Sequence, residues 1–475
     1  MEKRAFPYGW VLLAVLFGLT VLRGAFAAAV DLSPDEAYYW AWSTRPAPGY
    51  YDHPPGVAWL IAAGTALLSD CELGVRLPAL LLSVLSAWMI FLITRELTGS
   101  PRQAFWTSLL LTCSPIFSVG AVIHTPDALL AAAWSAALWF ALRAVRADRL
   151  VDWIGLGACI GVAALAKLTG WFLLPCLGLF ALSCKVGRIR LKHPGPALTL
   201  LVAVAIALPN LLSNGGAYAF QLAHTTGDLQ LSLTNFLAFL GGQAGVVSPL
   251  LWAALVLFMA VSWRRAVRFG RNEAFLMWCF SVPLFLFCLL LSIVHKVEAN
   301  WPAMAYIAAL PGAAWAWTGG RFYLRRMRLW AGLTLGVAAV MTLVIHLQAL
   351  VPFLPLEERL DPTARLRGWR SLAQEAVAEA DKLGAALASE GYGPVSELKF
   401  YTGRPVLYEP SSTRSCQYDV WEADDPGGTV LFLQPVTTTH PPRMCTRARN
   451  SWILMKSGTG APRRADRFRW WVCER

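Results

Sequence analysis

The sequence predicts an α-helical polytopic membrane protein that ends in a small α/β domain outside the membrane. Of its 475 residues, 56% are hydrophobic and only 15% are charged, whereas soluble domains average about 25% charged residues. In addition, residues 1–350 consist largely of apolar runs that are long enough to cross a bilayer. These observations exclude a soluble protein class and make the lipid bilayer the solvent of most of the chain.

Eleven apolar runs follow one another through this region, most of them within the spanning length of roughly 17 to 25 residues. They cover residues 9–30, 77–97, 103–122, 126–146, 152–168, 170–184, 197–213, 247–263, 274–295, 302–319 and 328–350. An odd number of spans places the two termini on opposite sides of the membrane. The first run is too long, and too poorly matched to a small-residue cleavage site, to be a removable signal peptide.

Lysine and arginine are distributed unequally between the loops. Nineteen of them occur at the N-terminus and in the loops near 95–102, 143–151, 185–193, 264–273 and 320–328. The intervening loops contain only Arg45, Arg76, Lys167 and Lys296. Because positively charged loops remain cytoplasmic, we expect the N-terminus inside and the tail outside. This asymmetry also accounts for the net charge of +12 without a nucleic-acid partner.

Hydrophobicity falls after residue 350, which predicts a membrane domain at 1–350 and a tail domain at 351–475. The tail combines a helical stretch with strand-like runs, a mixture that predicts a small α/β domain with a modest core. The helical stretch covers 369–389, and the strand-like runs cover 395–403, 429–436 and 451–458.

Four cysteines lie on the expected outer side, Cys71 in the first outer loop and Cys416, Cys445 and Cys473 in the tail. We expect one disulfide among them, because an oxidising compartment permits it. The spacing leaves its pairing open. No CxxC or histidine-rich spacing typical of a metal site occurs in the sequence.

The first outer loop, residues 31–76, is far longer than a turn and is therefore a candidate functional segment. It opens with LSPDEAYYW, in which Ser33 suits a helix N-cap, Pro34 the first helical position and Glu36 the third position of a capping box. Asp35 is not needed for capping and is the better candidate for function. The aromatic residues that follow suit a helix lying at headgroup depth.

The same loop continues with GYYDHPPGVAWLI. Pro54 holds His53 in an extended conformation, and Pro54 and Pro55 suit the start of another helix. Asp52 and His53 are thereby presented at a helix N-terminus, a position that suits anion binding. The alternative is an interfacial turn with ordinary polar residues.

Three later outer segments add to the pattern. In HTPDALL, Asp127 is a first-turn acid of the helix that Pro126 begins. In HKVEANWPAMAY, Lys296 is a cation on the outer side, against the topology rule. It invites a functional explanation, and an ion pair with Glu298 is the alternative. A long segment at 214–246 is also a candidate functional loop.

In combination, these motifs resemble a known family. An Asp-Glu pair after the first span, then YYDHPPG, a Pro-Asp after the third span and KVEANWP before a late span resemble the bacterial polyprenyl-phosphate-sugar-dependent glycosyltransferases. Those enzymes are GT-C fold relatives of the protein O-mannosyltransferases and of the lipid A aminoarabinose and galacturonic acid transferases. The tail motifs SELKFYTGRPVLYE and QYDVWE are similar to the outer domain of the bacterial branch.

The resemblance implies a GT-C fold in the bacterial inner membrane with a periplasmic tail. It implies transfer of a sugar, with inversion, from a polyprenyl-phosphate donor to lipid A, lipopolysaccharide core or another surface glycan, with a protein acceptor as the alternative. Asp35 would be the catalytic carboxylate that faces the acceptor, and Glu36 and Asp127 would be the further acids of the site. A divalent ion held by Asp35 and Asp127 is compatible with the pattern, but the sequence does not require a cofactor.

The resemblance also implies contacts with the donor and the acceptor. His53 would contact the donor phosphate where the aminoarabinose transferases have a lysine, and Lys296 would be the firmer partner because histidine is only partly charged near neutral pH. Arg76 and Arg45 would assist. Contacts with the acceptor or the sugar would come from Asp52, Tyr51 and Glu298.

A transporter, a surface-glycan polymerase or ligase, and a scaffold are the alternative functional classes. A transporter or flippase of lipid-linked glycans would place ionisable groups near mid-membrane, whereas the predicted spans carry little charge apart from Arg23. A polymerase or ligase of surface glycans would share the compartment and the lipid phosphate chemistry, and only the family resemblance argues against it. A scaffold would leave Lys296 unexplained. The sequence contains no Rossmann-like glycine-rich motif, so no nucleotide sugar is expected.

Overall fold

The structure is a computed structural model that describes residues 6–214, 218, 230–268, 270–316, 324–357, 360–410, 414–421, 427–436, 438, 441–453 and 468–474. Part of the candidate loop at 214–246 (215–217 and 219–229) and the end of the strand-like run (454–458) lie outside these residues. The chain divides into two compact units. The helical unit comprises Met1–Gly24, His53–Val57 and Pro78–His346, and the mixed unit comprises Ala25–Asp52, Ala58–Leu77 and Leu347–Arg475.

Helices dominate the described chain before residue 350. They are α1 (Tyr8–Ala29), α2 (Pro34–Ser43), α3 (Gly56–Leu68), α4 (Glu72–Thr98), α5 (Pro101–Cys113), α6 (Pro115–Gly120), α7 (Pro126–Ala147), α8 (Leu150–Ala166), α9 (Leu173–Ser183), α10 (Lys185–Arg190), α11 (Gly195–Ser213), α12 (Leu233–Val247), α13 (Pro249–Arg268), α14 (Asn272–Leu291), α15 (Ala303–Ala316) and α16 (Leu324–Leu350). Proline opens α2, α5, α6 and α7, where its missing N–H costs no helical hydrogen bond.

Six of the described helices are long and apolar enough to span a bilayer, namely α1, α4, α7, α11, α14 and α16. The pair α12 and α13, bent by 112°, passes the same test as one broken span. Three other predicted spans fall on the shorter helices α8, α9 and α15. The run at 103–122 is divided between α5 and α6, where Pro115 interrupts the helical hydrogen bonding. The chain is a polytopic membrane protein, and the number of eleven spans stays a prediction.

An apolar core fills the helical unit, with Trp134 of α7 and Phe280 of α14 fully buried in it. The spans differ in how deeply they lie in this core. In α7, 72% of the apolar stretch is buried, whereas in α1 and α16 only 22% is buried. The helices α1 and α16 therefore present most of their surface to the bilayer.

The C-terminal part of the mixed unit is an α/β fold. Its elements are α17 (Trp369–Leu383), β1 (Ala386–Glu390), α18 (Tyr392–Thr402), β2 (Val406–Glu409), β3 (Thr429–Pro435), β4 (Arg447–Ile453) and β5 (Phe468–Glu474). The strand order is β2-β1-β3-β5-β4, with β1 parallel to β2 and β3, and β5 antiparallel to β3 and β4. The predicted α/β class is confirmed for this segment.

Individual elements of this fold differ from the predictions. The run at 395–403 is wrong as a strand, because it forms most of α18. Val395 and Leu398, three residues apart, are buried on one helix face, and Gly403 ends the helix with a φ of 63°. The helical stretch at 369–389 ends earlier than predicted, at Leu383, because Gly384 takes a left-handed conformation. The run at 429–436 is confirmed as β3.

The disulfide that the sequence left open joins Cys445 to Cys473 across a sequence separation of 28 residues, while Cys71 and Cys416 are free thiols. Closing a loop of that length lowers the chain entropy of the unfolded state, which stabilises the fold by about 3 to 4 kcal/mol. We therefore expect Cys473→Ser to lower the thermal midpoint of the mixed unit. Cys71→Ser is the control, and an equal decrease in both variants would contradict this prediction.

Candidate active site

The helix α2 begins as its sequence predicts. The Ser33 N–H donates to Glu36 Oε2 at 2.9 Å, and the Glu36 N–H donates to Ser33 Oγ at 3.3 Å, which completes a capping box. Pro34 occupies the first helical position, so Asp35 follows in the first turn. Glu36 is fully buried, whereas 32% of the Asp35 side chain is exposed. The two adjacent acids therefore have different environments.

Glu36 forms a buried ion pair with Arg76. This contact was not predicted for either residue. Arg76 Nε and Nη2 donate to the two Glu36 carboxylate oxygens, each at 2.8 Å, and both side chains are fully buried. The remaining Arg76 N–H groups donate to the carbonyls of Ala27, Val30 and Asp31. All five donors of the guanidinium are thereby used. This geometry gives Arg76 and Glu36 a structural role, and the predicted phosphate contact of Arg76 and reacting role of Glu36 stay predictions.

Asp35 instead meets two side chains from the tail. The Tyr392 hydroxyl donates to Asp35 Oδ1 at 3.0 Å, and Arg365 Nη1 lies 3.6 Å from Asp35 Oδ2. Tyr392 is the first residue of α18. The next residue, Gly393, allows this approach, because a Cβ there would lie 3.0 Å from the Pro34 Cβ. The absence of a side chain at position 393 thus brings the start of α18 against the start of α2.

The Tyr392 hydroxyl is a permanent donor. Its burial and the negative charge of Asp35 both raise the pKa of the phenol above its usual value. The hydroxyl therefore stays protonated near neutral pH and donates to a carboxylate that keeps one side open to solvent. An acidic side chain that is oriented by a fixed donor and remains accessible can bind and polarise a substrate hydroxyl.

Asp52, which was predicted to contact the acceptor or the sugar, is only 2% exposed. The Tyr38 hydroxyl donates to its Oδ2 at 2.8 Å, and Arg414 Nη2 donates to its Oδ1 at 2.5 Å. The backbone N–H of the neighbouring Tyr51 donates to Gln417 Oε1 at 2.7 Å. The predicted role of Asp52 stays a prediction, and in this geometry its Oδ1 ties the first loop to Arg414 while its Oδ2 accepts from Tyr38 of the same loop. The predicted sugar contact of Tyr51 stays a prediction.

The aromatic residues of α2 are also placed differently from the prediction. Tyr38 and Trp42 are 2% and 0% exposed and do not form an interfacial belt. The Tyr38 ring contacts Tyr392 at 4.6 Å and Tyr418 at 5.8 Å between ring centroids, and Trp42 stacks on Tyr50 at 4.6 Å. These contacts give α2 a rigid seat within the mixed unit.

In the helical unit, Asp127 lies in the first turn of α7, as predicted. Lys167 Nζ donates to its Oδ1 at 2.8 Å, and Asn300 Nδ2 donates to its Oδ2 at 2.5 Å. Lys167 stands in extended conformation where α8 ends, and Asn300 belongs to the KVEANWP motif. Asp127 therefore joins three chain segments, and its partly exposed ion pair is a polar centre of this unit.

The remaining predicted residues lie at the surface. Lys296 and Glu298 form an ion pair at 2.8 Å, with side chains that are 75% and 58% exposed. This pair is the alternative to a functional role of Lys296. His53 is partly exposed in the helical unit, immediately after Asp52. The guanidinium of the exposed Arg45 lies over the Trp421 ring, 4.9 Å from its centroid.

Several residues of these clusters escaped the sequence reasoning. Tyr392, Arg365 and Arg414 lie more than three hundred positions from the loop they contact, and no local pattern links them to it. Lys167 carried a signal, because it is one of four basic residues in the predicted outer loops. Asn300 carried a weaker signal, because it lies in the KVEANWP motif.

Comparisons with known proteins agree with this architecture. Residues 52–212 match the family described as dolichyl-phosphate-mannose-protein mannosyltransferase. The lipid A galacturonosyltransferase RgtD of Rhizobium johnstonii is 29% identical over 447 residues, which cover 89% of this chain and 90% of that protein. An undecaprenyl phosphate-α-4-amino-4-deoxy-L-arabinose arabinosyl transferase of Pseudomonas fluorescens is 34% identical over 171 residues, which cover 34% of this chain and 29% of that protein.

The fold is that of a solved structure. The crystal structure of ArnT from Cupriavidus metallidurans bound to undecaprenyl phosphate matches with a TM-score of 0.66 and 18% identity, over 98% of both chains. Its apo form matches with a TM-score of 0.63 over the same shares. The fold resemblance thus includes both the apolar helices and the C-terminal sheet. The fold and the relatives thus support a polytopic membrane glycosyltransferase that is similar to the GT-C enzymes.

Proposed function

We propose that the enzyme transfers a sugar from a polyprenyl-phosphate donor to lipid A or the lipopolysaccharide core. One relative is named for transfer of galacturonic acid to lipid A, and the other for an undecaprenyl-phosphate-linked aminoarabinose. The observation that carries the proposal is the contrast among the acids of the first loop. Glu36 and Asp52 are buried and paired, whereas Asp35 is one-third exposed and oriented by Tyr392. Of these three motif acids, Asp35 is therefore the one that is accessible to an acceptor.

The proposed reaction is a single displacement. The acceptor oxygen forms a bond to the anomeric carbon while the bond from that carbon to the phosphate oxygen breaks, which inverts the configuration. The hydroxyl proton passes to Asp35, and the electron pair leaves with the phosphate. Cationic side chains stabilise the charge that develops on the phosphate, and His53 and Lys296 stay the candidates for that contact. We retain Asp127 as a further acid of the reaction, and Tyr51 and Glu298 as sugar or acceptor contacts.

No step of this mechanism passes through a metal ion. A cofactor site at Asp35 and Asp127 does not fit their surroundings, because a carboxylate oxygen of Asp35 faces Arg365 and one of Asp127 accepts from Lys167. Among the described residues, no three histidine, cysteine or acidic side chains come together as a metal-binding group.

For the location we propose the bacterial inner membrane, with a cytoplasmic N-terminus and a periplasmic tail. The excess of basic residues in alternate loops supports this orientation. The Cys445–Cys473 disulfide supports an oxidising compartment for the tail. The transporter or flippase alternative is not favoured, because the relatives are named as transferases.

Mass spectrometry of lipid A and lipopolysaccharide tests the proposal in cells. We expect a deletion strain to lose one sugar substituent, and the wild-type gene to restore it. Unchanged glycolipids together with altered glycoproteins would redirect the proposal to a protein acceptor. Unchanged glycolipids and glycoproteins would contradict it.

Removal of the Tyr392 hydroxyl should weaken the reaction without unfolding the protein. A hydrogen bond to a charged group contributes roughly 1.5 to 3 kcal/mol, so Tyr392→Phe should lower transfer by about tenfold to a hundredfold. The measurement is the initial rate with purified protein. Tyr408→Phe, which removes a hydroxyl bonded to Asp419, is the matched control. Equal rates in the wild type and in Tyr392→Phe would contradict the proposed orientation of Asp35.

A further inference from the structure

A charged residue inside the first span has no role in the mechanism above. Arg23 lies on α1, six residues before its end at Ala29, which places its Cα about 9 Å from the end of the helix at 1.5 Å per residue. Charged side chains within membrane spans are costly and usually mark a site or a specific partner. The partners of Arg23 therefore decide what it does.

Two of those partners are structural. The helix α5 ends at Cys113, and Pro115 opens α6, so the break deprives the last carbonyls of α5 of their helical donors. Arg23 Nη2 donates to the Thr112 carbonyl at 2.8 Å and to Ser118 Oγ at 3.0 Å. Thr342 Oγ1, on α16, donates to the Cys113 carbonyl at 2.8 Å. The carbonyls left free at the break thus accept hydrogen bonds from a side chain of α1 and from a side chain of α16.

These bonds use only part of the hydrogen-bonding capacity of Arg23. Both hydrogens of Arg23 Nη2 are engaged, which leaves Nε–H and the two Nη1–H groups. Within the described parts of the chain, these three donors have no hydrogen-bond acceptor, and no carboxylate pairs with the guanidinium. Ser118 accepts from Arg23, and its own O–H likewise meets no acceptor among the described residues. The guanidinium thus has N–H groups without an acceptor beside the Ser118 hydroxyl, and no carboxylate among the described residues compensates its positive charge.

The setting indicates where a ligand would come from. Arg23 is only partly buried, and only 22% of the apolar stretch of α1 and of α16 is buried in the protein, which leaves both helices accessible from the bilayer. The dipole at the end of α5 supplies only about half a negative charge, which leaves the guanidinium short of a counterion. A lipid phosphate has several oxygen acceptors, carries the missing negative charge, and can approach laterally while its chains stay in the hydrocarbon.

We propose that Arg23 and Ser118 form a binding site for the phosphate group of a membrane lipid. The phosphate oxygens accept from one free edge of the guanidinium, either Nε–H or Nη1–H, and from the Ser118 hydroxyl, while Nη2 keeps its bonds to the protein. Two sources share this chemistry, a phospholipid and a polyprenyl phosphate. The site does not depend on the acid-base role of Asp35.

The test uses the purified full-length chain and native mass spectrometry with two matched lipid pairs. Phosphatidic acid is compared with diacylglycerol, and undecaprenyl phosphate with undecaprenol, since each pair differs only by the phosphate. We expect the wild type to retain the phosphate-bearing member of at least one pair. The pair whose preference is lost in Arg23→Gln identifies the source, because the donor site of the proposed reaction also binds undecaprenyl phosphate. Excess inorganic phosphate should not displace the lipid, and complete displacement would overturn the lipid assignment.

Variants locate the site. Arg23→Gln keeps an N–H for the Thr112 carbonyl but removes the charge, and it should weaken retention of the phosphate lipid by about tenfold or more. Arg146→Gln is the matched control, because Arg146 is already paired with Glu96 and Glu273, and it should retain the lipid like the wild type. Equal retention by Arg23→Gln and the wild type would overturn the proposal.

A second measurement covers the case in which Arg23→Gln does not fold. In the wild type, a phosphate lipid with a diazirine next to its phosphate should label α1 or the outer half of α16 more strongly than the corresponding alcohol does. Equal labelling by both lipids would overturn the proposal without any variant.

Discussion

Replacement of Asp35 by asparagine should nearly abolish sugar transfer. A positioned general base contributes about a hundredfold to ten-thousandfold to a rate, and an amide cannot accept the acceptor's proton. The side chain keeps its size and can still accept from Tyr392, so the fold should be unchanged. The measurement is the initial rate of transfer with purified Asp35→Asn and wild-type protein at equal concentration.

Two further variants make this prediction specific. Asp381→Asn changes an acid of the same unit that pairs with Arg404 at the surface, and it should transfer at the wild-type rate. Asp35→Glu keeps the charge but moves the carboxylate away from Tyr392, so it should recover only part of the activity. If Asp35→Asn transferred sugar at the rate of Asp381→Asn, Asp35 would not be the catalytic acid.

The second large effect is expected at the pair of Arg76 and Glu36, and it concerns stability. Arg76→Met would leave the Glu36 carboxylate buried without its cation, and breaking a buried ion pair in this way costs roughly 3 to 5 kcal/mol. It would also leave the carbonyls of Ala27, Val30 and Asp31 without a donor. We expect a large decrease in the thermal midpoint, measured in detergent by the fluorescence of the intrinsic tryptophans.

The origin of this loss can be tested by a second substitution. Adding Glu36→Gln to Arg76→Met removes the unpaired charge and should recover part of the stability. The control is Arg404→Met, which removes the cation of an exposed pair and should leave the midpoint unchanged. An unchanged midpoint in Arg76→Met would contradict the structural role of this pair.

Local sequence rules predicted the helix starts well. The capping box of α2 and the first-turn position of Asp127 depend on residues within a few positions of each other, so they can be read directly. The same rules separated Asp35 from Glu36, and the structure gives them different environments. Local rules could not predict that Glu36 also pairs with Arg76, because that contact joins residues forty positions apart.

Contacts between distant segments account for the rest of the differences. Tyr392 reaches Asp35 only because the mixed unit brings the tail to the first loop. The strand-like appearance of residues 395–403 comes from their aromatic and β-branched residues, and the packing of Val395 and Leu398 on one helix face overrides that propensity. Asp52 was identified as an acid at a helix start, but only the fold shows that Tyr38 and Arg414 use both its oxygens.

The most direct test of the central claim is transfer by the full-length protein in liposomes. The liposomes contain lipid A and a polyprenyl-phosphate donor that carries labelled galacturonic acid or 4-amino-4-deoxyarabinose. We predict that the wild type moves label from at least one donor to lipid A and releases an equal amount of polyprenyl phosphate, that Asp35→Asn does not, and that a nucleotide sugar cannot replace the donor. Movement of the intact donor across the bilayer without covalent transfer, or undiminished transfer by Asp35→Asn, would contradict the account.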